Sequence, residues 1–181
     1  GASLIPTVSW INLIQSDSND IRAQFVRTDS QYDDTKAWFN KFPGNGGVNF
    51  RYNNPKVLRL SEAYLIAAEG ALKGSAGAAV ASGYLNTIRK RANPDVADVV
   101  ATEDLIQTER RKELVGEGHR FFDLMRLGKS ITRLDSDGHN FAESAGCPGT
   151  FNWSYFKIVL PISHTERKSY PELQQNPGYT E

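Results

Sequence analysis

The sequence predicts a mostly α protein built from tetratricopeptide-like helical hairpins, with loop-rich segments and one or two short strands. Three observations carry that reading. Two Ala-rich amphipathic stretches lie between Leu60 and Ala92, a short Gly74-Ser75 link joins them, and a third helical stretch follows from Thr102. Apolar residues recurring at i, i+3 and i+4 mark helices. A short link between two helices folds them antiparallel, and hairpins that meet through small residues are the units of tetratricopeptide-like solenoids.

We read residues 1–181 as one domain in three stretches: a loop-rich lead-in (1–57), the helices (58–128), and a loop, short strand and tail (129–181). The lead-in has no sustained periodicity, and Trp10 to Ile14 fits a helical turn or a strand. Pro43 to Gly47 is a loop, because a helix breaker stands against residues that tolerate positive φ. The first helix runs from Leu60 to Lys73, with Leu60, Ala63, Tyr64, Ala67 and Ala71 as its apolar stripe and Glu62 and Glu69 opposite. Its alanines let a neighbour approach closely, and Gly74 ends it. The second spans about Ala76 to Ala92, with Ala81, Tyr84, Leu85, Ile88 and Ala92 on one face and Asn86 and Lys90 on the other. Asn93-Pro94 stops it. The third starts at Thr102, whose hydroxyl can cap free amides, with Glu103 and Asp104 favourable to the dipole. Gly116 and Gly118 weaken it before Phe121 to Leu127 resumes and Gly128 closes the run. Asp135 to Gly149 reads as loop, Phe151 to Ile162 as a short strand, and Ser169 to Glu181 as a turn-rich tail.

Composition excludes several classes. Twenty-one basic and twenty-one acidic side chains cancel, so nothing draws the chain to nucleic acid or an anionic surface. A single cysteine, Cys147, rules out an internal disulfide and a thiolate zinc cluster. No apolar run approaches the roughly 20 residues that span a bilayer. The opening Gly1-Ala2-Ser3-Leu4 has no signal-peptide pattern and reads as a cleavage boundary.

Four motifs, in order, bear a resemblance. Arg59, Glu62, Tyr64, Leu65, Ala68 and Glu69 form R-x-x-E-x-Y-L-x-x-A-E, and Leu85 to Ala92 forms L-N-x-I-R-x-R-A. Glu109-Arg110-Arg111-Lys112-Glu113-Leu114, Glu117-Gly118-His119-Arg120, Asp123-Leu124 and Arg126 follow. The chain closes on Leu160-Pro161-Ile162 and Gln175-Asn176-Pro177-Gly178-Tyr179, with Ser163 where the pattern has a proline. Together they resemble the C-terminal portion of the SusD/RagB family. The resemblance implies a SusD-like α-α superhelix and an outer-membrane, cell-surface lipoprotein of Bacteroidetes, anchored by an N-terminal lipid outside this chain. It further implies glycan capture, with an oligosaccharide or polysaccharide as ligand, delivery to a SusC-like TonB-dependent transporter, no enzyme activity and no cofactor. A tetratricopeptide-like protein-interaction scaffold without sugar binding is the alternative.

Glu109, Glu113 and Glu117 fall one turn apart on an unbroken helix, Arg120 joins them at i+3 from Glu117, and Arg110 precedes Glu113 by three. With Asp123 and Arg126 they predict an internal ion network. A glycoside hydrolase needs two acids about 5–9.5 Å apart. Here, however, each carboxylate has an arginine within reach, which holds it ionised and unsuited to acid catalysis. His119, His139 and His164 lack metal-ligand spacing. Asp135 to Asn140 misses the EF-hand positions for glycine and glutamate, so no metal site is expected. Asn152-Trp153-Ser154 fits a glycosylation sequon. Sugar rings stack on aromatic planes, and Trp10, Tyr32, Trp38 and Trp153 are the candidate contacts because loop-forming residues surround them. Each also fits the role of core anchor.

Overall fold

The computed structural model describes residues 6–27, 38–42, 56–133 and 149–179. Backbone contacts divide the chain into two compact units, 1–120 and 121–181.

In the first unit, α1 (Val8–Gln15) begins at Thr7, whose side chain accepts from the Trp10 amide. This settles the open reading of Trp10 to Ile14 as helix. A 3₁₀ turn, Ile21–Phe25, leads into β1 (Val26–Arg27), which pairs antiparallel with β2 (Trp38–Phe39). The hairpin follows: α2 (Leu60–Lys73), capped by Gly74, and α3 (Gly77–Ala92). Helix α4 (Glu103–Glu113) starts where Thr102 Oγ1 accepts from the Leu105 amide, as its sequence position predicts. Helix α5 (His119–Arg126) follows a turn at residues 114–118. Pro43 to Gly47 and residues 135–148 of the segment Asp135 to Gly149, both read as loop, lie outside the described residues, as does His139.

The core of this unit is Leu65, Ala68 and Ala71 of α2, Ala81, Leu85 and Ile88 of α3, and Ala101 and Ile106 of α4, with Tyr64, Leu72 and Val99 against it. Ala68, Ala71 and Ala81 explain why α2 and α3 lie close: small side chains let two helix backbones approach. The phase of α2 departs from the sequence reading. Leu60 is 71% exposed, whereas Leu65 is fully buried and Glu69 is 8% exposed. The helix is apolar around most of its circumference, so periodicity alone could not pick the inward face. Glu69 tolerates burial because Gln107 Nε2 and Lys73 Nζ donate to it at 3.1 and 2.8 Å. Asn86 likewise turns inward, donating to Val99 O at 2.9 Å and accepting from Val99 N at 3.1 Å. It thereby staples the segment after α3 to the helix, where the sequence had suggested an outward polar face.

The second unit holds β3 (Ile131–Thr132), antiparallel to β4 (Thr150–Phe151), a 3₁₀ turn at Phe156–Ile158, and α6 (His164–Ser169). The strand anticipated over Phe151 to Ile162 shrinks to its first residue. Asn152 Oδ1 accepts from the Ser154 amide and hydroxyl at 3.0 and 2.6 Å, and Tyr155 N donates to Asn152 O. Local bonds of this kind compete with a ladder and end it. The aromatic rings meet one another instead, Phe151 tilted against Tyr155, and Tyr155 with Phe156 and Phe156 with Tyr179 edge to face.

The closing motifs meet through side-chain amides. Gln175 accepts from Ile162 N at 2.8 Å and donates to Ile162 O at 3.0 Å, standing in for a strand partner. Asn176 Nδ2 donates to Leu160 O, and the Tyr179 hydroxyl to Val159 O. Gly178 has φ +89°, and a Cβ there would come within 2.6 Å of Phe156, so both backbone and space demand glycine.

Leu85 lies at the α2–α3 seam with no solvent exposure. We predict that Leu85→Ala lowers unfolding free energy by about 2–5 kcal/mol, as cavity-forming substitutions do. Urea unfolding checks this, and an unchanged midpoint would remove Leu85 from the core.

Candidate functional site

Two features stand out: a buried ion network in the first unit and an exposed indole in the second. The network centres on the last turn of α4. Helix geometry places Glu109 and Glu113 on one face, and both are buried, at 5% and 2% exposure. Arg22 faces them, itself buried. Its Nε and Nη2 hold Asp20 at 2.9 and 2.7 Å, while Nη1 reaches Glu109 at 2.7 Å and Glu113 at 3.0 Å. Two further guanidiniums converge on Glu113: Arg59 at 2.5 Å from the start of α2 and Arg91 at 2.6 Å from the end of α3.

Glu117 belongs to the network by a different route from the one its spacing suggests. Helix α4 stops at Glu113, Gly116 takes φ +76°, and the chain turns before α5. Gly116 is required there twice over, since a Cβ would also sit 2.7 Å from the Phe39 ring. The one-turn spacing of Glu113 and Glu117 on an unbroken helix is therefore corrected, together with the i+3 relation of Arg120 to Glu117. Arg120 lies on the exposed first turn of α5. The turn delivers the Glu117 carboxylate to Arg59 Nε at 2.7 Å and to Lys41. Arg110 is buried on α4, and Asp123 pairs with Arg126 across three residues at 2.9 Å. His119 Nδ1 lies 3.5 Å from Glu62.

These cations also close the helix end. Lys41 Nζ donates to the carbonyls of Glu113 and Val115 at 2.7 and 3.0 Å, and Arg59 Nη2 donates to Glu113 O at 2.5 Å. The last carbonyls of a helix have no intrahelical partner and carry partial negative charge, so cations there are doubly favoured.

The electrostatics follow from this crowding. Burial alone would raise the Glu113 carboxyl, but Arg59, Arg91 and Arg22 outweigh it and bring it from 4.5 down to about 2. Glu117 is lowered too, burial again being overcome by Arg59 and Lys41. At Lys41 burial wins, and the ammonium lies below its usual range. At Arg22 burial loses to Asp20 and Glu109, and the guanidinium moves further up. Carboxylates held this firmly ionised cannot donate a proton to a leaving group at neutral pH. Among the described residues, no group of three His, Cys, Asp or Glu is placed to hold a metal ion.

Asp20, Arg22, Lys41, Arg59 and Arg91 all escaped the sequence reading of the network. Arg59 and Arg91 do stand inside the motifs quoted above, and a charged residue at the end of an Ala-rich helix is a usable signal. Nothing local links Arg22 to Glu113, 91 positions away.

The four aromatic candidates separate. Trp10 is a core anchor: it is 4% exposed, its indole donates to Arg111 O at 3.2 Å, and it meets Phe39 edge to face. Trp38 sits on β2 opposite Arg27, and Tyr32 lies outside the described residues. Trp153 is 63% exposed. It projects from the turn that Asn152 closes, and a Cβ added at Gly128 would lie 3.9 Å from the edge of its ring.

With this geometry in place, the relationships of the chain are clear. The SusD family profile matches residues 15–179, and the chain belongs to that family. It is similar to a SusD-like protein, P25, of Formosa agariphila, at 32% identity over 70% of this chain and 25% of the relative. It is 32% identical to the starch-binding protein SusD of Bacteroides thetaiotaomicron over 68% of this chain and 21% of that protein. A crystal structure of a putative sugar binding protein from Bacteroides vulgatus superposes with TM-score 0.82 at 38% identity, covering 97% of this chain and 39% of the other. The chain thus spans about a quarter or less of the length of the curated relatives it matches.

Because the folded Glu113 carboxyl titrates near 2 and the unfolded one near 4.5, its contribution is whole above about pH 4.5 and lost as pH falls toward 2. It amounts to roughly 3 kcal/mol. We predict a drop in unfolding free energy over that range that Glu113→Gln flattens. Glu113→Ala at pH 7 takes one carboxylate from Arg22, Arg59 and Arg91 together and costs about 3–5 kcal/mol. Unaltered thermal stability in Glu113→Ala would show that Glu113 does not hold the network.

Proposed function

We propose that this chain is the C-terminal portion of a cell-surface glycan-binding lipoprotein, which captures oligosaccharide and passes it to a SusC-like TonB-dependent transporter in the outer membrane. The observation that carries the reading is the family membership, with a structural match along nearly the whole chain to a putative sugar binding protein. In this reading the protein binds and does not hydrolyse. The acids nearest in spacing to a hydrolase pair, Glu113 and Glu117, are paired with guanidiniums and held ionised, which unsuits them to be the acid of such a pair.

Trp153 is the contact we assign to ligand. A flat and largely exposed indole offers the apolar face of a pyranose ring a stacking surface. Asn152 and Ser154 flank it with groups able to hydrogen-bond hydroxyls. Tyr32 and Trp38 remain further proposed contacts on the lead-in.

Affinity electrophoresis or calorimetry against starch, laminarin and other polysaccharides tests the assignment. Trp153→Ala is expected to weaken binding about tenfold, or ~1.4 kcal/mol, with no change in melting temperature and no release of reducing sugar by either protein. Full affinity in the variant would strike Trp153 from the site. Absence of binding to any glycan by the whole polypeptide, or reducing-sugar release by it, would overturn the reading. Co-purification with a SusC-like transporter tests the delivery step.

A further inference from the structure

Trp153 is largely exposed, yet the backbone on either side of it is fixed. The fixing group is its neighbour. Asn152 Oδ1 accepts from the Ser154 amide at 3.0 Å and from the Ser154 hydroxyl at 2.6 Å, while Tyr155 N donates to Asn152 O at 3.0 Å. A side-chain oxygen that bonds the amide two positions on forms an Asx turn, which stands in for a backbone turn and sets the residue between. That residue is Trp153.

The ends of the segment are anchored too. Before the turn, Phe151 pairs with Ile131 in the β3–β4 ladder. After it, the Tyr155 ring meets Phe151 and Phe156, and Ile158 N donates to Tyr155 O at 2.9 Å. With both ends held, the Asn152 side chain is what governs the direction in which Trp153 leaves the turn. Immobilising a side chain on association costs free energy, and a side chain already held in place avoids much of that cost.

We propose that Asn152 is a positioning residue, which orients the Trp153 indole before a sugar arrives and acts on affinity through that ring. This rests on the glycan-binding reading of Trp153. The rival role for Asn152 is direct contact, its amide nitrogen donating to a sugar hydroxyl. Two substitutions separate the roles. Asn152→Asp keeps the oxygen at the same reach and gives up the NH2 group. Asn152→Gln keeps the whole amide but sets it one methylene farther out, where it no longer closes the turn.

The test is affinity electrophoresis of the whole polypeptide on starch and laminarin gels, with Trp153→Ala run alongside. Asn152→Gln should weaken retention about fivefold, and Asn152→Asp should restore it to within about twofold of the unmodified protein. All three variants should melt within about two degrees of the parent, since the altered groups lie at the surface. Full affinity in Asn152→Gln overturns the proposal. Asn152→Asp as weak as Asn152→Gln overturns it as well, and makes the amide nitrogen a sugar contact. Loss of binding in Trp153→Ala with full affinity in Asn152→Gln sinks the positioning role alone. Full affinity in Trp153→Ala removes the glycan-contact reading of that ring, and the positioning role falls with it.

Discussion

The carboxylate of Glu113 is where the first unit is tied together. It sits at the last turn of α4 and takes guanidiniums from Arg22, Arg59 and Arg91, so one side chain fixes the positions of a 3₁₀ turn, the start of α2 and the end of α3. The geometry is demanding. Taking a charge out of water is costly unless partners and hydrogen bonds replace its hydration. Four carboxylates (Asp20, Glu109, Glu113, Glu117) meet four cations (Arg22, Lys41, Arg59, Arg91) in contacts that leave none of them isolated. Such a network need not add stability over an apolar core of the same volume, but it admits few alternative arrangements.

The same constraint explains the glycines. Ending α4 at Glu113 and reversing the chain at Gly116 brings Glu117 back toward Arg59 and Lys41, and only glycine fits under the Phe39 ring while adopting that φ. Lys41 and Arg59 then serve two purposes, neutralising carboxylates and capping the carbonyls the broken helix leaves behind. In this chain the acid- and base-rich motif thus terminates one helix and docks three other segments onto its end. Ligand binding, in the proposed reading, falls to a turn residue, Trp153, outside that network. In that reading scaffold and recognition are separate, and a fold of this kind can change its ligand by changing loops.

Much of the helical order was legible in the chain. The limits of α2, the Thr102 cap and the break at Gly116 to Gly118 follow from local rules of propensity and capping. Helix α6 carried a legible signal that went unread: Ser163 with Glu166 three residues on, the first residue of a capping box, with the Ser163 hydroxyl accepting from the Glu166 amide. The strand placed over Phe151 to Ile162 failed because β-rich composition was weighed above the Asn152 turn chemistry. The network was legible in kind, as paired charges on α4, but its basic partners were sought on the wrong helix turns.

What the sequence determined by itself is therefore local: which segments are helical, where they start and stop, and that the acids of residues 109–117 need basic partners. Those properties depend on neighbours within about four residues, through caps, dipoles and side-chain periodicity. Tertiary structure alone decided which face of α2 turns inward, that Trp10 is covered while Trp153 is open, and that Arg22 lies against Glu113. Each of these depends on segments brought together across tens of residues, and a helix apolar on two sides carries no local mark of which one its partner will take.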